Sequence, residues 1–220
     1  MTLPPATEEE LLARARALSG LRLGELASSL GHAVPSTPRQ GKGWMGQLLE
    51  TVLGADAGNL PEPDFRVLGI ELKTIPVNAA GIPRESTYVC RAPARPDPSG
   101  KWQESTVRQK LARVLWLPIE AASLAALSAR RIGWAHLWSP SPDQESLLRA
   151  DWEELTELLV LGRQEEISGR LGSVMQLRPK AADASVTAPA FDAGGEPTAR
   201  APLAFYLRAS FTRQILAASR

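Results

Sequence analysis

The sequence predicts a mixed α/β domain. Helix-period apolar stripes stand toward both ends, short extended runs fill the centre, and a strand edge runs into a last helix. Thr7 and Glu10 have the T-x-x-E spacing of a capping box, and Leu11, Leu12, Ala15 and Leu18 repeat on one helical face until Gly20. A second helix is predicted over 23–30. The stretch GHAVPSTPRQGKG that follows is polar and rich in Pro and Gly, so it reads as a loop. Trp44, Leu48, Leu49 and Val52 mark a third helix that stops at Gly54 and carries Glu50.

From Phe65 to Val77 the period shortens. Gly69 is a candidate hairpin turn, IELKTIPV is rich in strand formers, and STYVCRAPA and RVLWLPIE predict further strands around a PARPDPSGK turn. Leu147, Leu148, Trp152, Leu155, Leu158 and Leu159 space a helix over 142–161. VMQLRPKA reads as a strand, PAFDAGGEPTARAP as the most flexible internal segment, and FYLRASFTRQILAA as a strand entering a terminal helix.

At 220 residues, 44% hydrophobic and 22% charged, the chain suffices to bury a core, and no apolar run approaches the roughly 20 residues of a membrane span. The opening MTLPPATEEE lacks a signal-peptide pattern. Cys90 is the only cysteine, which excludes an internal disulfide and a cysteine-based zinc site and sets the expectation of a cytoplasmic protein with Cys90 in a core strand. Lys and Arg total 25 against 24 Asp and Glu, a formal charge of +1, so any nucleic-acid affinity must come from local placement. Basic residues recur at Arg108, Lys110 and Arg113, at Arg178 and Lys180, and at Arg208 and Arg213. His32 and His136 lie in no nucleophile context, which disfavours a Ser-His-Asp hydrolase.

The chemistry-bearing spacing is Asp64 followed by Glu71-Leu72-Lys73, a D-x6-E-x-K pattern. On a strand, Glu71 and Lys73 project to one face while Leu72 turns into the core, and a hairpin at Gly69 would carry Asp64 alongside. Two carboxylates and an ammonium converging at a sheet edge suit phosphodiester hydrolysis. Hard Mg²⁺ takes one or two carboxylates and keeps several waters, polarises the phosphate and acidifies the attacking water. Lys73 could orient or deprotonate that water, or neutralise charge on the phosphate; the spacing does not choose.

In order along the chain, GKGWMGQLLETVLGADAG, PDFRVLGIELKTIPV, VRQKLARVLWLPIE, DWEELTELLVLG, QLRPKAA and AFYLRASFT resemble consecutive segments of the MutH family. The resemblance implies a restriction-endonuclease-like mixed sheet flanked by helices, one domain over 1–220 with two lobes, the two arms standing around a DNA cleft. It implies nicking of the unmethylated strand at hemimethylated GATC in methyl-directed mismatch repair. It implies catalytic roles for Asp64, Glu71, Lys73, Glu50 and Lys110, and a Mg²⁺ shell of Asp64, Glu71, Glu50 and Leu72. DNA contacts are implied at Lys42, Tyr88, Arg178, Lys180 and Tyr206, with Lys180 and Arg178 in the base-reading segment and Tyr206 in methyl sensing. A monomer activated by a MutL-type ATPase, with MutS upstream, completes the implied picture.

Tyr88 departs from a familiar phenylalanine and the C-terminus is more polar than the family's apolar tail, which bear on methyl sensing and partner coupling respectively. Two rivals remain at this point: a GATC-cutting restriction endonuclease, disfavoured by chain length, and a noncatalytic DNA-binding module, disfavoured by the intact Asp64, Glu71 and Lys73.

Overall fold

The computed structural model describes residues 2–36, 41, 43–58, 60–94, 96–121, 126–180, 187–191, 194 and 196–218. The chain divides into two compact units, one of Met1–Glu85, Ala112–Ser139 and Arg213–Arg220, the other of Ser86–Leu111 and Pro140–Thr212.

The first unit opens with helix α1 (Glu8–Ala17), where Thr7 Oγ1 accepts the Glu10 N–H at 3.2 Å. Glu10 returns not to the cap residue but to the Ala6 N–H, at 2.7 Å, so the capping box closes one residue earlier than its spacing predicts. Helices α2 (Leu23–Ser29) and α3 (Trp44–Leu53) follow. Gly54 ends α3 at φ 83°, and a Cβ there would stand 2.5 Å from the Leu3 carbonyl oxygen. That position therefore requires glycine both for its backbone and for its space.

The unit's sheet has the order β1–β3–β4, from β1 (Glu71–Val77), β3 (Val114–Glu120) and β4 (His136–Trp138). It is mixed, with β1 parallel to β3 and β4 antiparallel to it. Central β3 is buried on both faces, which is why it reads as the continuous apolar run VLWL. On one face Leu115, Leu117 and Ile119 join Leu72, Leu11, Leu23, Leu49 and Phe65 in the core. On the other, register places Glu71 beside Val114 and Lys73 beside Trp116, with His136 next in that row. The three-residue strand β4 was not foreseen; it is too short for an alternation signal.

In the second unit an antiparallel sheet has the order β2–β8–β5, from β2 (Thr87–Arg91), β5 (Met175–Pro179) and β8 (Leu203–Leu207). A bulge between Tyr88 and Cys90 lets both Val89 and Cys90 be buried, as expected of Cys90. Helix α4 (Thr106–Leu111) precedes β3, and the long helix α5 (Pro142–Val160) starts with a reciprocal box between Ser141 and Gln144. Within α5 the buried Asp151 accepts N–H bonds from Ser173, Val174 and Met175, each at 2.7 Å, and so fixes the entry to β5.

The stretch expected to be the most flexible contains a paired hairpin, β6 (Ala188–Phe191) with β7 (Pro197–Arg200). Its Ala- and Pro-rich strands lack the β-branched alternation that announces a strand. Helix α6 (Ala209–Ala217) closes the chain. Among the described residues no helix is long and apolar enough to cross a membrane.

Candidate active site and nucleic-acid interface

The predicted turn at Gly69 forms. Phe65 and Ile70 exchange main-chain hydrogen bonds of 2.9 and 3.2 Å around residues 66–69, and Gly69 supplies the positive φ of 65°. The arm before the turn is a single bridge rather than the strand expected there. Its carbonyl side is nevertheless braced, because the Asp64 carbonyl accepts the N–H groups of Asp56 and Ala57.

This brings the Asp64 carboxylate back to β1, where Oδ2 accepts the Leu72 N–H at 2.8 Å. Glu71 donates its own N–H to the Arg113 carbonyl, and residues along a strand alternate the side toward which their peptide groups point. The Leu72 carbonyl therefore faces the free edge of β1, on Asp64's side, while its side chain is buried in the core. Glu71 and Lys73 share the opposite face from Leu72, as period two requires, and Lys73 Nζ donates to Glu71 Oε1 at 2.6 Å. They are not the solvated charged face that alternating Glu and Lys usually makes: they are 3% and 8% exposed.

Glu50 lies half-buried on α3, a helix that packs against β1, with its carboxylate over Gly46, where no side chain competes for the space. Among the described residues no three His, Cys, Asp or Glu side chains gather closely enough to hold a metal by themselves. Mg²⁺ does not demand such a cage, since it commonly takes one or two carboxylates and retains waters. The Asp64 and Glu71 carboxylates and the Leu72 carbonyl are oxygen donors of the kind that cation prefers.

Lys110 is on α4 of the second unit and is 9% exposed. Lys42 lies outside the described residues. Other basic residues singled out in the sequence are structural braces: Arg113 pairs with Glu8 and holds its carboxyl below the usual range, Arg108 Nε meets Glu145 at 2.9 Å, and Arg208 donates to the carbonyls of Gly169, Leu171 and Gly172.

The remaining four residues assemble on the sheet of the second unit. Tyr88 and Tyr206 stand directly opposite on β2 and β8, with ring centroids 5.6 Å apart at 74°. The Arg178 guanidinium carbon is 5.4 Å from the Tyr206 ring centre, and Arg178 Nη1 donates to Ser86 Oγ at 2.6 Å. Lys180 Nζ is 4.5 Å from the Tyr88 ring centre and donates to its hydroxyl at 3.1 Å. The hydroxyl that distinguishes Tyr88 from phenylalanine thus anchors Lys180. Burial raises the Tyr206 phenol above its ordinary 10.0, so it remains a hydrogen-bond donor near neutral pH.

Register adds a residue that the sequence reading missed. Gln176 pairs with Tyr206 and shares its face with Arg178, a placement that the alternation in MQLRP encodes.

A model described as "DNA mismatch repair enzyme MutH" matches residues 53–151. DNA mismatch repair protein MutH of Yersinia enterocolitica is 50% identical over 214 residues, covering 97% of this chain and 94% of that protein. Its namesakes from Salmonella paratyphi B and Salmonella typhimurium are each 51% identical over 214 residues, covering 97% of this chain and 93% of theirs.

Proposed function

The chain belongs to the MutH family of DNA mismatch repair enzymes, and from that premise we propose that it is a Mg²⁺-dependent endonuclease that nicks the unmethylated strand at hemimethylated GATC. One observation carries the reading: Asp64 is tied to the main chain midway between Glu71 and Lys73, at the open edge of β1. The hairpin thus returns a second carboxylate to the strand edge that already carries Glu71 and Lys73.

Asp64, Glu71 and the Leu72 carbonyl would hold the cation, with Glu50 completing the shell or a second site. When bound, Mg²⁺ would polarise the scissile phosphate and lower the pKa of the attacking water. The chain's own groups position the reactants. Glu71 holds the Lys73 ammonium at the reacting edge, where it orients that water or offsets the charge that grows on the phosphate oxygens. Lys110 and Lys42 supply phosphate contacts. Lys180 and Arg178 carry the donors that suit guanine O6 and N7, the commonest specific major-groove pairing. Tyr206 is the methyl sensor, because adenine N6 lies in that groove and an added methyl group would meet a ring held from both sides by Tyr88 and Arg178. The protein acts in the cytoplasm as a monomer, downstream of MutS, and is activated by a MutL-type ATPase that raises its effective concentration at GATC.

The test is incubation with Mg²⁺ and unmethylated, hemimethylated or fully methylated GATC duplexes, with and without MutL and ATP. One nick in the unmethylated strand, stimulated by MutL, is the expected result, and Ca²⁺ should support binding with little cleavage. Simultaneous scission of both strands, untouched by MutL, would overturn the reading in favour of a restriction enzyme.

A further inference from the structure

On the β4 side of the first unit's sheet lies a surface to which the proposed chemistry gives no task. Arg22 and Arg131 face each other across an antiparallel bridge, an arrangement that places like charges side by side. Arg131 Nη1 donates to the Gly20 carbonyl at 2.9 Å, and Arg16 Nε to the Ala135 carbonyl at 3.4 Å. Neighbouring Arg130 has a buried Nε that meets no hydrogen-bond acceptor among the described residues.

Glu25 accepts the Arg22 main-chain N–H, and the Glu120 main chain pairs with that of Arg131. Among the described residues neither acid forms an ion pair with these arginines. Apolar groups are interleaved: Trp134 is 57% exposed beneath the Arg16 guanidinium, 5.0 Å from its ring centre, and Leu21 is 39% exposed. In a chain of formal charge +1, Arg16 stacked over the exposed Trp134 and the exposed Arg22 and Arg131 facing each other across their bridge add local positive charge with no ion-paired acid among the described residues.

We propose that this surface docks an acidic segment of a partner protein with an apolar side chain between its carboxylates. Charge complementarity sets the acid. The apolar side chain follows from Trp134 and Leu21, because a duplex backbone would meet the arginines and leave the tryptophan without a function. Arginine and tryptophan are also the residue types that dominate binding energy at protein interfaces.

The experiment titrates three fluorescein-labelled probes against the full chain by anisotropy at physiological salt: a Glu-rich peptide with central Leu and Phe, a Glu/Gly peptide of equal charge, and a duplex lacking GATC. The Leu/Phe peptide should bind best and lose roughly tenfold or more in affinity with Arg16→Glu, Arg22→Glu and Arg131→Glu combined, and severalfold with Trp134→Ala.

Should the triple reversal fail to fold, the double variant Arg22→Gln with Arg131→Gln keeps the question open to refutation. It relieves the facing charges, so it should melt no lower than the parent yet still weaken the peptide. Equal binding of both peptides, a response of the duplex alone, or self-association of the chain on sedimentation would each overturn the proposal. GATC nicking without partner should be unchanged in all variants, so loss of the proposed function and loss of docking are read separately.

Discussion

The β1 edge of the first unit and the β2–β8–β5 sheet of the second place their chemistry-bearing side chains in opposite environments. In the first, Glu71 and Lys73 are 3% and 8% exposed and bonded to each other, and the Asp64 carboxylate is pinned to a peptide N–H. In the second, Tyr88 is 36% exposed, and Arg178 and Lys180 reach over aromatic rings from the strand edge. Fixed, desolvated groups suit a reaction in which sub-ångström placement and low local polarity act on the barrier. Accessible cations stacked on rings suit the reading of a base edge, where contact must be made and released.

The contrast is broken most severely at Asp64. Asp64→Ala, and separately Glu71→Ala or Lys73→Ala, should lower nicking by about a hundredfold or more while Ca²⁺-supported DNA binding persists, since the loss falls on the transition state. Nicking near the parental rate in Asp64→Ala would remove it from the reaction.

Next comes Asp151→Ala, which strips three N–H groups, two of them buried, of their acceptor and should cost on the order of 3 kcal/mol. Hydrogen exchange would show protection lost first at β5, and uniform loss across both units would erase the distinction.

A smaller effect is expected at Lys180→Ala, about 1–3 kcal/mol of GATC preference for a good base contact. An equal loss on every sequence would make it a phosphate contact instead. Tyr206→Ser should narrow the difference between hemimethylated and fully methylated sites.

The smallest effect concerns His136, whose pKa burial lowers below 6.5, with Arg16 opposing its charge. The folded state holds it neutral while the unfolded chain takes up the proton first. Its contribution to stability is therefore complete above pH 6.5 and lost as pH falls through 6.5 toward the lowered folded value. Melting temperatures between pH 8 and 5 should decline with acid, and His136→Gln should flatten that slope. The Glu8 carboxyl, held down by its hydrogen bond to Arg113, acts in a separate window below 4.5.

Much of this architecture is written locally. Capping at Thr7, the stop at Gly54, the turn at Gly69 and the alternation in ELKTIPV and MQLRP are short-range signals, and each gave its element within a few residues. The burial of Glu71 and Lys73 was not legible, because it depends on Val114 and Trp116, which join them only through the parallel pairing of β1 with β3. The cation-on-ring contacts were equally hidden, since Tyr88, Arg178 and Tyr206 come from three strands far apart in sequence. That Arg108, Arg113 and Arg208 are bonded rather than simply solvated was hidden, because their acceptors Glu145, Glu8 and the carbonyls at 169–172 are distant or anonymous in the sequence.

The parallel partnership of β1 with β3 has a consequence for synthesis. A nascent chain leaving the ribosome releases β1 about 40 residues before β3 exists, so the strand waits roughly 2–8 s without its neighbour at ordinary translation speed. An apolar strand in that position would invite pairing with other chains. Glu71 and Lys73 sit on β1 as opposite charges, the kind of residue that keeps an orphan edge from sticking. The same pair that is buried beside Trp116 in the finished fold thus serves, for those seconds, as the strand's own chaperone.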